Sequence, residues 1–285
     1  MKIPFLNHEF NSITLCQGMR FAQVNLTDDV QFMLKYDKGD YLFTPENVKA
    51  REKKYQFGSC DTAQLTDRGK AHMEEIGEGL RKLYIENYKL DVNSSNVYVR
   101  STNIPRAIQS AQHLLFAFFG KHFPKEPINI SVMDERDEYL YPNFRSCPKL
   151  KRMFDSTYQA MKKEFKKETD TILSEMQSNL ITSRKVSIHD VYDTLACAEA
   201  HNLPFPSPAT EETLKKSETI ISKVWWKPFE ESTELIKLGV GPLVHDVLFK
   251  ILTSATNESD TKVTALFIHF FKPFLIFFFS DKLLF

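Results

Sequence analysis

Apolar residues recur at Met73, Ile76, Leu80 and Leu83, the spacing of one helix face, and Thr66 ahead of them carries an N-cap side chain. A polar break, Asp91-Val92-Asn93-Ser94-Ser95, separates this stretch from Val97-Tyr98-Val99. Those β-branched and aromatic residues predict a short buried strand that ends at Arg100-Ser101-Thr102-Asn103. Pro105 stands where a first helical turn tolerates proline, and Ile108, Ala111, Leu115 and Phe118 form the next apolar stripe. Ile128 to Val132 predicts a further strand. Residues 66–132 therefore read helix, strand, helix, strand, the alternation of an α/β layer fold.

From about Tyr139 to Glu234 the strand signal fades, and Lys/Glu-rich periodic stretches such as Met161 to Leu180 predict a helical insertion covering the sheet. Thr261 to Ile268 becomes continuously apolar, as a buried strand returning to the core would. The expected organisation is a first part of an α/β core over 1–138, a mainly helical cap over 139–234, and a return to the core over 235–285. The last stretch, from Ala265 to Phe285, is rich in phenylalanine but broken by Lys272-Pro273. A membrane-spanning helix needs about 20 mostly apolar residues without such an interruption. Two readings stay open: a buried strand followed by an aberrant aromatic ending, or contact with a membrane interface.

Composition narrows the functional classes. Lys+Arg and Asp+Glu both number 37, so no global field attracts nucleic acid and any anion site must be local. A hydrophobic fraction of 42% excludes disordered and collagen-like chains. Cys16, Cys60, Cys147 and Cys197 are scattered and show no CxxC pairing, so neither a structural zinc nor a disulfide scaffold is expected, and no cofactor is called for. The first residues have too short an apolar run for a secretory signal and too few arginines for a transit peptide.

Arg100 is the leading site candidate. It ends a predicted strand just before a helix amino terminus, the edge where α/β sheets bind ligands. A guanidinium there can grip a phosphate through two parallel hydrogen bonds; it can equally bond nearby carbonyls or a carboxylate as part of the fold. His269 closes the last predicted strand in the same way. The pairs His189-Asp190 and His245-Asp246 fall in helical stretches, where neighbouring side chains diverge, and read as solvated or capping residues. Asp134, Glu135, Asp137 and Glu138 read as a solvated charge run. No P-loop, dinucleotide glycine pattern, HExxH or GxSxG occurs.

Several short stretches in order carry a family resemblance. Gln64-Leu65-Thr66 with Gly69, then Arg81-Lys82-Leu83-Tyr84, and above all Val99-Arg100-Ser101-Thr102-Asn103-Ile104-Pro105-Arg106 resemble the histidine acid phosphatases. Leu140-Tyr141-Pro142-Asn143-Phe144-Arg145-Ser146-Cys147, Ala200-His201-Asn202-Leu203-Pro204 and Val240-Gly241-Pro242 resemble its lysophosphatidic acid phosphatase branch. The likeness covers about 56–269. It implies a phosphoglycerate-mutase-like layered core, here truncated, with an α-helical cap. It also implies hydrolysis of small phosphomonoesters or lysophospholipids through a covalent phosphohistidine, and a mitochondrial or cytoplasmic location. In that family an Arg-His-Gly-x-Arg-x-Pro loop supplies the nucleophile and two phosphate-binding arginines. The strand-to-helix arginine, here Arg100, is a third clamp, and a late His-Asp pair supplies a phosphate contact and the acid that protonates the leaving alcohol.

The chain departs from that pattern twice. Arg-His-Gly is absent, and the nearest echo is Ser12-Ile13-Thr14-Leu15-Cys16-Gln17-Gly18-Met19-Arg20. Either Gln17 replaces the nucleophile, leaving Arg20 as a remnant phosphate ligand, or the chain begins downstream of the loop. His269 matches the late histidine, but Phe270 stands where the acid belongs. The expectations are phosphate-binding residues Arg100, His269 and Arg20, no intact catalytic set, little or no turnover, and a fragment-like domain with exposed apolar surface.

Overall fold

The computed structural model describes residues 32–36, 65–122, 124, 126–177, 186–205, 207–256, 259–269 and 273–279. The described chain divides into two compact units, one over 142–242 and one combining 32–141 with 243–279.

The second of these is an α/β layer. Strands β1 (Phe32–Tyr36), β2 (Val97–Ser101), β3 (Ile128–Val132), β4 (Val263–His269) and β5 (Pro273–Phe279) form one sheet in the order β1-β3-β2-β4-β5. The first four are parallel, and β5 runs antiparallel to β4. Ile128, Ile130 and Val132 are completely buried, the every-second-residue pattern of a strand with one face in the core. Val263, Ala265 and Leu266 are equally enclosed, as their continuous apolar run requires. The aromatic ending thus contains a second strand, β5, which the sequence did not reveal. Residues 270–272 and 280–285 lie outside the described set. Among the described residues no helix is long and apolar enough to cross a membrane.

Helix α1 (Asp67–Leu80) begins where its cap predicts: the Thr66 hydroxyl accepts from the Gly69 amide at 3.1 Å. It runs into a wider π turn over Arg81–Asn87. Helix α2 (Pro105–Phe119) buries Ile108, Ala111, Leu115 and Phe118, the stripe its spacing predicts. The face of α1 is different from the expected one. Gly69, Met73 and Gly77 are buried while Leu83 is exposed. The reason is close approach: a methyl on Gly77 would collide with the Leu114 carbonyl of α2 and stand 2.9 Å from the Ala117 Cβ.

The other unit is helical: α3 (Pro148–Glu164), α4 (Lys166–Gln177), α5 (Ile188–Ala200), α6 (Glu211–Glu231) and α7 (Thr233–Gly239). Its core gathers Ile172, Met176, Val191, Tyr192, Leu195, Ala196, Leu214, Ile220 and Val224. The periodic stretch from Met161 is helical as expected and is divided at Phe165, between α3 and α4. Helix α8 (Gly241–Ala255) starts at the boundary and belongs to the α/β unit from Leu243 onward.

Candidate functional site

Arg100 sits one residue from the carboxyl end of β2, a central strand, opposite Ser131 on β3 and Leu266 on β4. Three parallel strands therefore deliver their carboxyl ends around it, and α2 starts four residues past β2. The expected location at the strand-to-helix turn holds.

Its surroundings are more specific than the sequence suggested. The side chain has 0% exposure. Nη2 donates to Glu138 Oε1 at 2.8 Å, and Nη1 donates to the Ser101 carbonyl oxygen and, at 3.5 Å, to that of Ser131. The Tyr139 ring lies 5.6 Å from the guanidinium carbon, within cation–π range. Nε has no hydrogen-bond partner. Glu138 Oε1 also accepts from the Tyr139 and Leu140 amides, each at 3.0 Å. A carboxylate thus lies in a seat made of one guanidinium and two backbone N–H groups, the donor set that oxyanions favour.

The acidic run is not solvated throughout, contrary to expectation. Asp134, Glu135 and Asp137 are solvated as expected, but Glu138 is 4% exposed and ion-paired. Burying a lone carboxylate is costly, and the charge of Arg100 with the two amides offsets that cost. One signal pointed to it: Glu138 directly precedes Tyr139-Leu140, where the chain re-enters the core, and Leu140 is buried.

The other candidates are scattered or beyond view. His269 ends β4 three residues past Leu266, the register partner of Arg100, so its backbone lies at the same sheet edge, roughly 10 Å further along the strand. Arg20 and the stretch from Ser12 lie outside the described residues. Asp190 is a capping residue: it completes a reciprocal box with Ser187 at the start of α5. His189 beside it is held below its ordinary pKa, chiefly by burial and then by Lys162, with Asp190 opposing. Asp246 neither caps nor faces solvent alone; it accepts from Lys250 Nζ at 2.5 Å, whose ammonium lies 4.3 Å from the Tyr98 ring centre. Burial, with Asp193 nearby, pushes the Cys197 thiol up to about 12, leaving it inert. Among the described residues no three or more His, Cys, Asp or Glu side chains gather in a way that could hold a metal. At the carboxyl edge of the parallel strands the Arg100 guanidinium thus bonds two carbonyl oxygens and a carboxylate, the fold-building arrangement that the sequence left open beside phosphate binding.

The chain belongs to the histidine phosphatase superfamily (branch 2), whose family profile it matches over residues 9–269. That match begins well upstream of residue 56, where the motif resemblance started, and takes in Ser12 to Arg20. Human lysophosphatidic acid phosphatase type 6 is 30% identical over 226 residues, covering 74% of this chain and 50% of that protein. Counting factor 60 of Dictyostelium discoideum is 28% identical over 238 residues, covering 78% and 56%. The chain spans about half the length of the curated relatives it matches. A solved phytase from Klebsiella sp ASR1 superposes with a TM-score of 0.43 and 11% identity, covering 70% of this chain and 60% of that one.

Proposed function

We propose that this chain binds phosphomonoesters of the kind its family hydrolyses, lysophosphatidic acid among them, with Arg100 as the phosphate-gripping group, and that it does not turn them over. The observation that carries the reading is the Arg100 guanidinium, already holding a carboxylate oxygen at the sheet edge. A phosphate oxygen makes the same charge-assisted contact, and a tetrahedral phosphate offers a second oxygen to Nε. Absence of turnover follows from covalent chemistry. Family hydrolysis needs an imidazole to take the phosphoryl group and an acid to protonate the leaving alkoxide. The sequence has no Arg-His-Gly, and Phe270 follows His269. A glutamine amide at position 17 neither accepts nor releases a phosphoryl group as imidazole does.

Two measurements on the full chain test this. Calorimetric titration with phenyl phosphate should give saturable binding that falls by roughly tenfold or more in Arg100→Lys, which keeps the charge and loses the planar fork. Assays with an aryl phosphate and with lysophosphatidate should give no release of inorganic phosphate. Arg100-dependent hydrolysis would overturn the claim of no turnover; equal binding by wild type and Arg100→Lys would overturn the assignment of Arg100.

A further inference from the structure

Glu138 holds the Arg100 Nη2 that the proposed function assigns to a phosphate oxygen. We infer that it is an internal competitor: its carboxylate fills an anion seat built from Arg100 and the Tyr139 and Leu140 amides, and a phosphate group enters by displacing it. This rests on the reading of Arg100 given above.

Three observations carry the inference. First, Arg100 has no solvent exposure, so no ligand reaches it unless a present neighbour yields. Second, the contacts converge on one oxygen: Nη2 and both amides all address Oε1, at 2.8, 3.0 and 3.0 Å. An oxyanion oxygen placed there by a ligand would inherit all three donors. Third, the pair is incomplete from the arginine side. Nε and Nη2 form one parallel fork, and Glu138 engages Nη2 while Nε is buried without a partner. A buried N–H left unmade is costly, and a phosphate bound across the fork would satisfy it. The chain geometry permits the exchange. Glu138 follows the turn through Asp134 to Asp137, whose residues are exposed, so displacement of its carboxylate would lead toward solvent rather than into the sheet.

The consequence is a self-limiting site. Affinity for a phosphomonoester is reduced by the strength with which the chain's own carboxylate binds. Neutralising that carboxylate without changing its shape should expose the seat's intrinsic affinity.

The experiment is calorimetric titration of the full chain with inorganic phosphate, comparing wild type, Glu138→Gln and Arg100→Lys. Glu138→Gln keeps an oxygen for the two amides and removes the charge competing for Arg100; its phosphate affinity should rise by about tenfold or more. Equal or weaker binding by Glu138→Gln, with Arg100→Lys impaired, overturns the competitor role and leaves the Arg100 assignment standing. Unimpaired binding by Arg100→Lys overturns both. Should Glu138→Gln not fold, wild-type amide resonances decide. Phosphate should shift Tyr139 and Leu140 along the same saturation curve as the calorimetric binding; if binding saturates while those two amides do not move, the carboxylate is not displaced and the inference fails.

Discussion

Gly77 and Gly79 lie two residues apart on α1 and meet opposite surroundings. A Cβ on Gly77 would run into α2 backbone, whereas one on Gly79 would have nothing within 4 Å. Backbone cannot step aside as a flexible side chain can, so Gly77→Ala should cost about 1–3 kcal/mol through overpacking. Gly79→Ala should instead add about 0.5–1 kcal/mol, because alanine loses less conformational freedom in a helix. Urea midpoints of the two variants, moving in opposite directions, check this; a similar shift in both would deny the close approach of α1 to α2. The same residue-scale physics explains what the sequence hid. A glycine carries no hydrophobic signal, so an apolar count placed the buried face on Met73, Ile76, Leu80 and Leu83, when contact runs through Gly69, Met73 and Gly77. Glu138 was hidden for a related reason. Three neighbouring charges are solvated, the apolar Tyr139-Leu140 that follows is the one local sign that sets the fourth apart, and its partner, Arg100, is 38 residues away along the chain.

Elements whose signal is local were legible throughout. Strand β3 and helix α2 carry their own periodicity, and Pro105 and Thr66 supply their own start signals, so each lies where the pattern places it. Strand β5 was not legible, because a continuous apolar run has no period and its pairing with β4 is decided by tertiary context. Helix α5 illustrates a further element-scale consequence. His189 lies in its first turn, where burial and the Lys162 charge hold the folded imidazole below its ordinary pKa of 6.5. As pH falls through that ordinary value the unfolded chain takes up a proton that the folded helix resists, so this group removes stability on acidification and restores it above. The first-turn position adds to the effect, since a cation there opposes the helix dipole. His189→Gln should therefore flatten the loss of stability between about pH 7.5 and 5.5 relative to wild type, read as the difference in urea midpoints. An unchanged pH slope would show that His189 titrates alike in both states.

At the scale of the whole molecule the notable surface is on α8. Val244, Leu248 and Leu252 recur every four residues, with Phe249 beside them, and their exposures are 48, 53, 62 and 57% respectively, the order being by spacing and then Phe249. A helix normally turns such a stripe inward, and here the inward contacts of α8 run instead through Leu243 and the Asp246–Lys250 pair beside Tyr98. An apolar stripe in water carries a standing cost of hydration, about 25 cal/mol for each Å² left uncovered, and presents a surface that dyes and other apolar groups will seek. Other large apolar side chains, Leu83, Tyr88, Leu203, Trp226 and Ile236 among them, are also exposed, but α8 gathers four on one helix. Because those side chains make little of the fold's packing, replacing two of them should leave folding nearly untouched. Leu248→Glu with Leu252→Lys places an acid four residues ahead of a base, the favourable order on a helix, and should change stability by no more than about 0.5 kcal/mol. The same double variant should bind markedly less anilinonaphthalene sulfonate than wild type and stay soluble at higher concentration. Loss of the cooperative urea transition in this variant would mean that the stripe is packed in solution after all, and undiminished dye fluorescence would place the exposed apolar surface elsewhere on the chain.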